Sequence, residues 1–295
     1  MKDHKSRLLR GNIADNQFRL FVADTTDIVQ KARDIHDLFP LPTIFLGRLI
    51  TAAALMSSEL KAPHSEITLR IDAEGALKGA IVIVNKEGDI RAFPYEPKLM
   101  FAEAQDNFLV GKHLGKGSLS VIRKSVNKAP YTGTVQLIDA EIASDVAAYY
   151  EQSEQSPSAV NLGVLIDPSA KIRAAGGFII QQLPNADLAI VSALNQNLEQ
   201  TPNISDLMDM GLSIEDILHR FVLKNISFQI SQESSLRYHC NCSKKSFAKA
   251  LILLGKKELE NMREGINPVC HYCNRNYQFS SEDINNLIRT ISEQK

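Results

Sequence analysis

Polar and apolar residues alternate over Gln17–Val22 and then fall at helical spacing over Thr25–His36, so the chain opens on a strand followed by a helix. Leu38–Pro42 is bounded by proline and predicts a turn. From Thr43 to Leu60, Ile44, Phe45, Leu49, Ala52, Ala53 and Met56 recur at helical spacing with Pro63 beyond them, which predicts a second helix. Strand patterns follow at Ile67–Ile71, Leu77–Val84 and Ile90–Phe93, parted by turn chemistry at Asp72–Gly75 and Asn85–Gly88, and again at Leu119–Arg123 and Thr132–Leu137. Asp139 is placed to cap a helix running to about Gln152. Asn161–Ile166 and Ile172–Ile180 read as two more strands. Strands without regular βαβ alternation predict an α+β fold, with an antiparallel-sheet-rich core domain over residues 1–180.

Beyond Leu183 and Pro184 the pattern turns helical, which predicts a helical linker over 181–230. Thr201 and Pro202 offer a cap followed by proline at the first helical position. Ser213 and Asp216 fit a capping box, with Ile214, Ile217, Leu218 and Phe221 forming one apolar stripe; its plainest use is core packing. A terminal module spans 231–295. There Phe247, Ala250, Leu251 and Leu254 share a helical face, Gly255 is placed to end that helix, and Tyr277–Phe279 suits a short strand. Ser280 and Asp283 form another capping box ahead of Ile284, Leu287, Ile288 and Ile291. A module of about 65 residues with so few apolar anchors is marginal on burial alone.

Composition narrows the functional classes. A chain of 295 residues with 44% hydrophobic residues has material for two domains, and its formal charge of −1 lacks a nucleic-acid binder's basic excess. The charged amino terminus is not followed by an apolar run, and stretches such as Ala80–Val84 and Leu251–Leu254 are far shorter than a membrane span. A cytosolic protein without a membrane partner is expected. In a reducing compartment, paired cysteines point to metal or redox chemistry rather than structural disulfides.

The cysteines are few and clustered. Cys240 and Cys242 form a C-x-C pair, Cys270 and Cys273 a C-x-x-C pair, 27 residues separate the pairs, and there are no others. Two close-set thiol pairs flanking a helix-sized spacer suit one tetrahedral ion, and four thiolates favour zinc, an iron–sulfur cluster or copper(I) over hard ions. Zinc is the first choice, against the plainer reading of inert buried thiols. His239 and His271 adjoin cysteines and are expected to flank the site rather than ligate. Gly111–Ser118 fails as a phosphate loop: only three residues separate Gly111 from Gly115, and Gly117 follows the lysine. No dinucleotide, zinc-protease or nucleophile-elbow motif occurs, so no enzyme is expected. Lys244, Lys245, Lys249, Lys256 and Lys257 make the module locally basic, but ten basic residues face seven acidic ones over 231–295, and the lysines read as a solvated face. A zinc-ribbon nucleic-acid or ribosome-associated protein is the alternative those lysines leave open. A thiol–disulfide oxidoreductase using Cys270 and Cys273 would need a thioredoxin-like βαβ context, which the pattern lacks.

The spaced cysteine pairs, Gly176-Gly177-Phe178 through Leu183-Pro184, and Tyr149-Tyr150 through Ser153-Glu154-Gln155 and Pro157-Ser158 resemble the redox-regulated 33-kilodalton heat-shock holdase chaperones of bacteria, over essentially the whole chain. The resemblance implies an ATP-independent chaperone that dimerises when active and binds unfolding client proteins. It further implies one zinc ion on Cys240, Cys242, Cys270 and Cys273 in an inactive reduced state. On oxidation Cys240 would pair with Cys242 and Cys270 with Cys273, with zinc released and the module unfolded. A C-x-C disulfide closes a small ring, whose strain would favour its re-reduction.

Overall fold

The computed structural model describes residues 5–100, 109–126 and 128–293, which divide into two compact units, one ending at Tyr238 and one beginning at His239. The first unit is a mixed α+β body built on two sheets. Its elements are β1 (Arg7–Ile13), β2 (Phe18–Asp24), α1 (Thr26–His36), α2 (Pro40–Ser57), β3 (Glu66–Ala73), β4 (Gly79–Asn85), β5 (Asp89–Pro94) and α3 (Val110–Leu114). They continue with β6 (Gly117–Lys124), β7 (Tyr131–Gln136), α4 (Ala143–Glu154), β8 (Ser158–Ile166), β9 (Ile172–Gln182), α5 (Leu188–Gln200), α6 (Ile204–Asp209) and α7 (Ile214–Ile217). A π-helical turn, Leu218–Val222, extends α7, and β10 (Phe228–Ser235) and β11 (Arg237–Tyr238) close the unit. One sheet runs β10-β1-β2-β9-β8 and the other β11-β5-β4-β3-β6-β7; all pairings are antiparallel except β11 with β5.

Burial explains the layering. α2 is apolar on every side, so it packs between the sheets, joining Phe45, Leu49 and Ala53 to Leu69, Val82 and Val121 of one sheet and Phe21 and Ile179 of the other. Length and hydropathy would let this helix cross a membrane, against the expectation that no such stretch exists; with 89% of it buried in the fold it is a core helix. The five-stranded sheet is covered on both faces. Along β2, Phe21 and Ala23 face the α2 core while Phe18, Leu20 and Val22 face a second core with Leu207, Ile214, Ile217 and Leu218 of the connector. Close approach docks that connector: a Cβ on Gly163 would meet Ser205 at 2.7 Å, and one on Gly176 would meet Met208 Sδ at 2.7 Å.

Several local expectations need correction. Pro40 starts α2 with Pro42 in its first turn, because the N–H groups proline lacks there have no helical partner anyway. Asp139 does not cap α4. Positive φ at Ala140 (59°) and Ile142 (76°) delays the helix, and Asp145 accepts from the Ile138 and Ile142 backbone N–H groups at 2.7 and 2.9 Å. Thr201 ends α5, and Asn203 rather than Thr201 precedes α6. The charged segment of β1 and the mostly polar β10 pair with each other, so the strand at 228–235 belongs to the first unit, not to a helical connector or a terminal module. The expected capping box at Ser213 is present: its hydroxyl accepts from Asp216 N–H at 3.0 Å, and the Asp216 carboxylate accepts in return. Ser213→Ala should cost about 1 kcal/mol. A lowered urea midpoint would show it; an unchanged midpoint would mean that packing alone holds α7.

The second unit contains α8 (Lys244–Leu254), α9 (Lys256–Asn261) and α10 (Ser281–Glu293). Its core is Leu251, Leu259, Phe279, Ile284 and Ile288. The buried face of α8 differs from the expected one, since Ala250 and Leu254 point to solvent while Ala248 packs inward. Tyr277–Phe279 forms no strand: Phe279 makes one isolated bridge with Ile266, and a second bridge joins Val269 to the preceding Asn276. The Ser280–Asp283 capping box and the Gly255 helix end stand as expected.

Candidate metal centre

Two backbone devices carry the four thiols. Cys240 and Cys242 lie on the segment entering α8, whose start is set by Ser243 accepting from Ser246 N–H at 3.1 Å. Cys270 and Cys273 sit on a knuckle: the Cys270 carbonyl accepts from Cys273 and Asn274 N–H at 3.3 and 2.8 Å, and Cys270 N–H donates to Arg275 O at 2.9 Å. Asn274 takes the left-handed conformation (φ 54°) that turns the chain back. The bridges Val269–Asn276 and Ile266–Phe279 hold the base of this hairpin.

These devices bring all four sulfurs within 4.8 Å of one another. Cys240 Sγ lies 3.7 Å from Cys270 Sγ, and Cys242 Sγ 3.3 Å from Cys273 Sγ, so close contacts bridge the two sequence pairs. Four sulfurs around one zinc at its usual bond length stand about 3.8 Å apart, so the donor set and its spacing fit a tetrahedral ion. Four protein ligands leave no open coordination position, which is the character of a structural rather than a catalytic site. Cys270 is buried and the other three are partly so.

Tyr277 is the site residue that sequence reading missed. Its hydroxyl donates to the Cys242 carbonyl at 2.9 Å and lies 3.1 Å from Cys242 Sγ, while its ring packs on Phe247 with centroids 4.9 Å apart. Its only sequence signal is an aromatic four residues after the last cysteine, which suits a strand equally well. Burial raises the Cys242 thiol, but hydrogen bonds from Tyr277 and Cys273 outweigh it and bring it down to about 7. Burial pushes Cys240 and Cys273 the other way, well up for Cys240. Without a metal, Cys242 is therefore a readier thiolate than Cys240 or Cys273. Cys270 and Cys273 are on a hairpin knuckle, not at a helix start, so the oxidoreductase reading finds no support in their placement. Gly111–Ser118, the rejected phosphate loop, forms the end of α3 and the start of β6.

Comparison with known proteins agrees over nearly the whole chain. Residues 6–280 match the family described as Hsp33 protein. The 33 kDa chaperonin of Desulforamulus reducens is 38% identical over 290 residues, covering 97% of this chain and 98% of that protein. That of Acetivibrio thermocellus is 36% identical over 292 residues, covering 98% of each. The crystal structure of the 33 kDa chaperonin (heat shock protein 33 homolog) from Thermotoga maritima matches with a TM-score of 0.89 at 30% identity, over 98% of this chain and 100% of that one. With its two-sheet body and its terminal four-cysteine cluster, this chain belongs to the Hsp33 family of chaperones.

Proposed function

We propose that the protein is a redox-regulated, ATP-independent holdase of the cytoplasm, inactive when reduced and able, as a dimer, to hold unfolding client proteins once oxidised. The observation that carries this reading is the convergence of four sulfurs within 4.8 Å in a unit whose own core is five residues. Cys240, Cys242, Cys270 and Cys273 would hold one zinc ion, which would supply apparent folding free energy of about 10–16 kcal/mol to this unit. A core so small contributes far less than that.

The thiols are donors and sensors at once. A thiolate attacks peroxide to give a sulfenic acid and hydroxide, which takes a proton to become water; a neighbouring thiol then condenses with the sulfenic acid, forming the disulfide and releasing a second water, so each disulfide consumes one peroxide. Two such bonds would remove all four donors. We assign the pairs Cys240–Cys242 and Cys270–Cys273, although Cys240–Cys270 and Cys242–Cys273 also lie within reach. The connector supplies the client surface in this reading, because Ile204, Leu207, Ile214, Ile217 and Leu218 are buried on one face of the five-stranded sheet and become apolar surface when it lifts.

The test compares reduced and peroxide-treated protein in suppressing aggregation of a denatured client, with zinc release followed and disulfides mapped by mass spectrometry. Suppression by the oxidised form alone, with zinc released, is expected. Equal activity in both forms would sink the switch, and dominant Cys240–Cys270 or Cys242–Cys273 bridges would overturn only the pairing.

A further inference from the structure

The corner between α8 and α9 is apolar at its tip and basic around it. Leu253 and Leu254 are 87% and 52% exposed, although the core of their own unit is otherwise well covered. Gly255, which follows them at φ 89°, has no atom within 4 Å of where a side chain would begin, so the corner protrudes. Lys245 and Lys249 precede Leu253 on one helical stripe, and Lys256 and Lys257 follow the glycine. All four are exposed and form no ion pair among the described residues, unlike Lys244, which pairs with Asp283 at 2.8 Å. Glu258 is the sole carboxylate in the sequence from Lys245 to Glu258.

We propose that this corner is a peripheral contact for an anionic lipid surface, with Leu253 and Leu254 entering the headgroup layer and Lys245, Lys249, Lys256 and Lys257 facing lipid phosphates. Paired apolar residues ringed by unpaired cations are what an interfacial contact needs, each element being weak alone and effective together. A peptide partner would call for a groove, and this tip is convex. Single-stranded RNA would call for open aromatic faces, but Phe247 and Tyr277 stack on each other and are partly buried. The contact rests on the fold of the terminal unit, so it belongs to the reduced protein and is lost where oxidation unfolds that unit.

Co-sedimentation of the reduced, zinc-loaded full-length protein with phosphatidylcholine vesicles containing about one-third phosphatidylglycerol tests this directly. Binding is expected to anionic but not to pure phosphatidylcholine vesicles, and to weaken with salt. The double variant Leu253→Ser/Leu254→Ser should lose about tenfold in partitioning, and Lys249→Glu/Lys257→Glu at least as much. These positions are exposed, so zinc content and circular dichroism should match the parent protein. Absence of binding to anionic vesicles, equal binding to neutral ones, or variants that bind like the parent overturns the proposal. So does binding of a single-stranded RNA oligonucleotide or polyglutamate in place of vesicles.

Discussion

Withdrawing zinc from the reduced protein with a strong chelator should abolish amide protection throughout the unit that begins at His239, while β2, β9 and α2 keep theirs. The expected loss is about 10–16 kcal/mol of apparent stabilisation, comparable to or larger than the whole stability of an ordinary domain. Little among the described residues of the unit offsets that: a core of five buried residues with partly buried neighbours, the exposed Lys244–Asp283 and Arg263–Glu260 pairs and two capping boxes. β2, β9 and α2 should keep their protection because they are buried in the cores of the first unit. Hydrogen exchange read by mass spectrometry decides the matter. Protection that survives chelation over residues 244–291 would show that the cysteines do not hold a structural metal.

Leu218→Ala should make the reduced protein suppress client aggregation without peroxide. Leu218 is fully buried in the second core, at the join between α7 and the π-helical turn, and its truncation should weaken connector docking by about 2–5 kcal/mol. The bidentate Arg7–Glu215 pair, with both contacts at 2.7 Å, still ties α7 to β1, but it is about a third exposed and cannot replace a buried leucine. The control is Leu69→Ala, equally buried in the α2 core, which should cost similar stability without activating the reduced form. Activation by both variants would assign it to general destabilisation, and activation by neither would reject the connector as the client surface.

What was legible beforehand follows from how local each signal is. The strands from β2 to β9 and helices α1 and α2 show their period over a few residues, and the Ser213 and Ser280 caps are short-range pairs. β1 and β10 are hidden, since Arg7, Arg10 and the polar run after Ile230 obscure alternation; β1 also pairs with its neighbour β2, but β10 is placed only by β1, more than two hundred positions away. Asp139 failed as a cap because positive φ at Ile142 moves the helix start, a strained choice visible only in three dimensions. Ala250 and Leu254 were misplaced because a helix of eleven residues bearing several apolar positions has more than one plausible buried face.

Four cysteines in two tight pairs by themselves point to metal or redox chemistry near the carboxyl end, because thiols so spaced have few other uses. Tertiary structure decided that the sulfurs meet within 4.8 Å, that Tyr277 joins them, and that the connector's apolar stripe covers the outer face of the five-stranded sheet. The reason is physical: ligand type and periodicity are properties of neighbouring residues, whereas which sulfur faces which, and which stripe is covered, depend on contacts between segments distant along the chain.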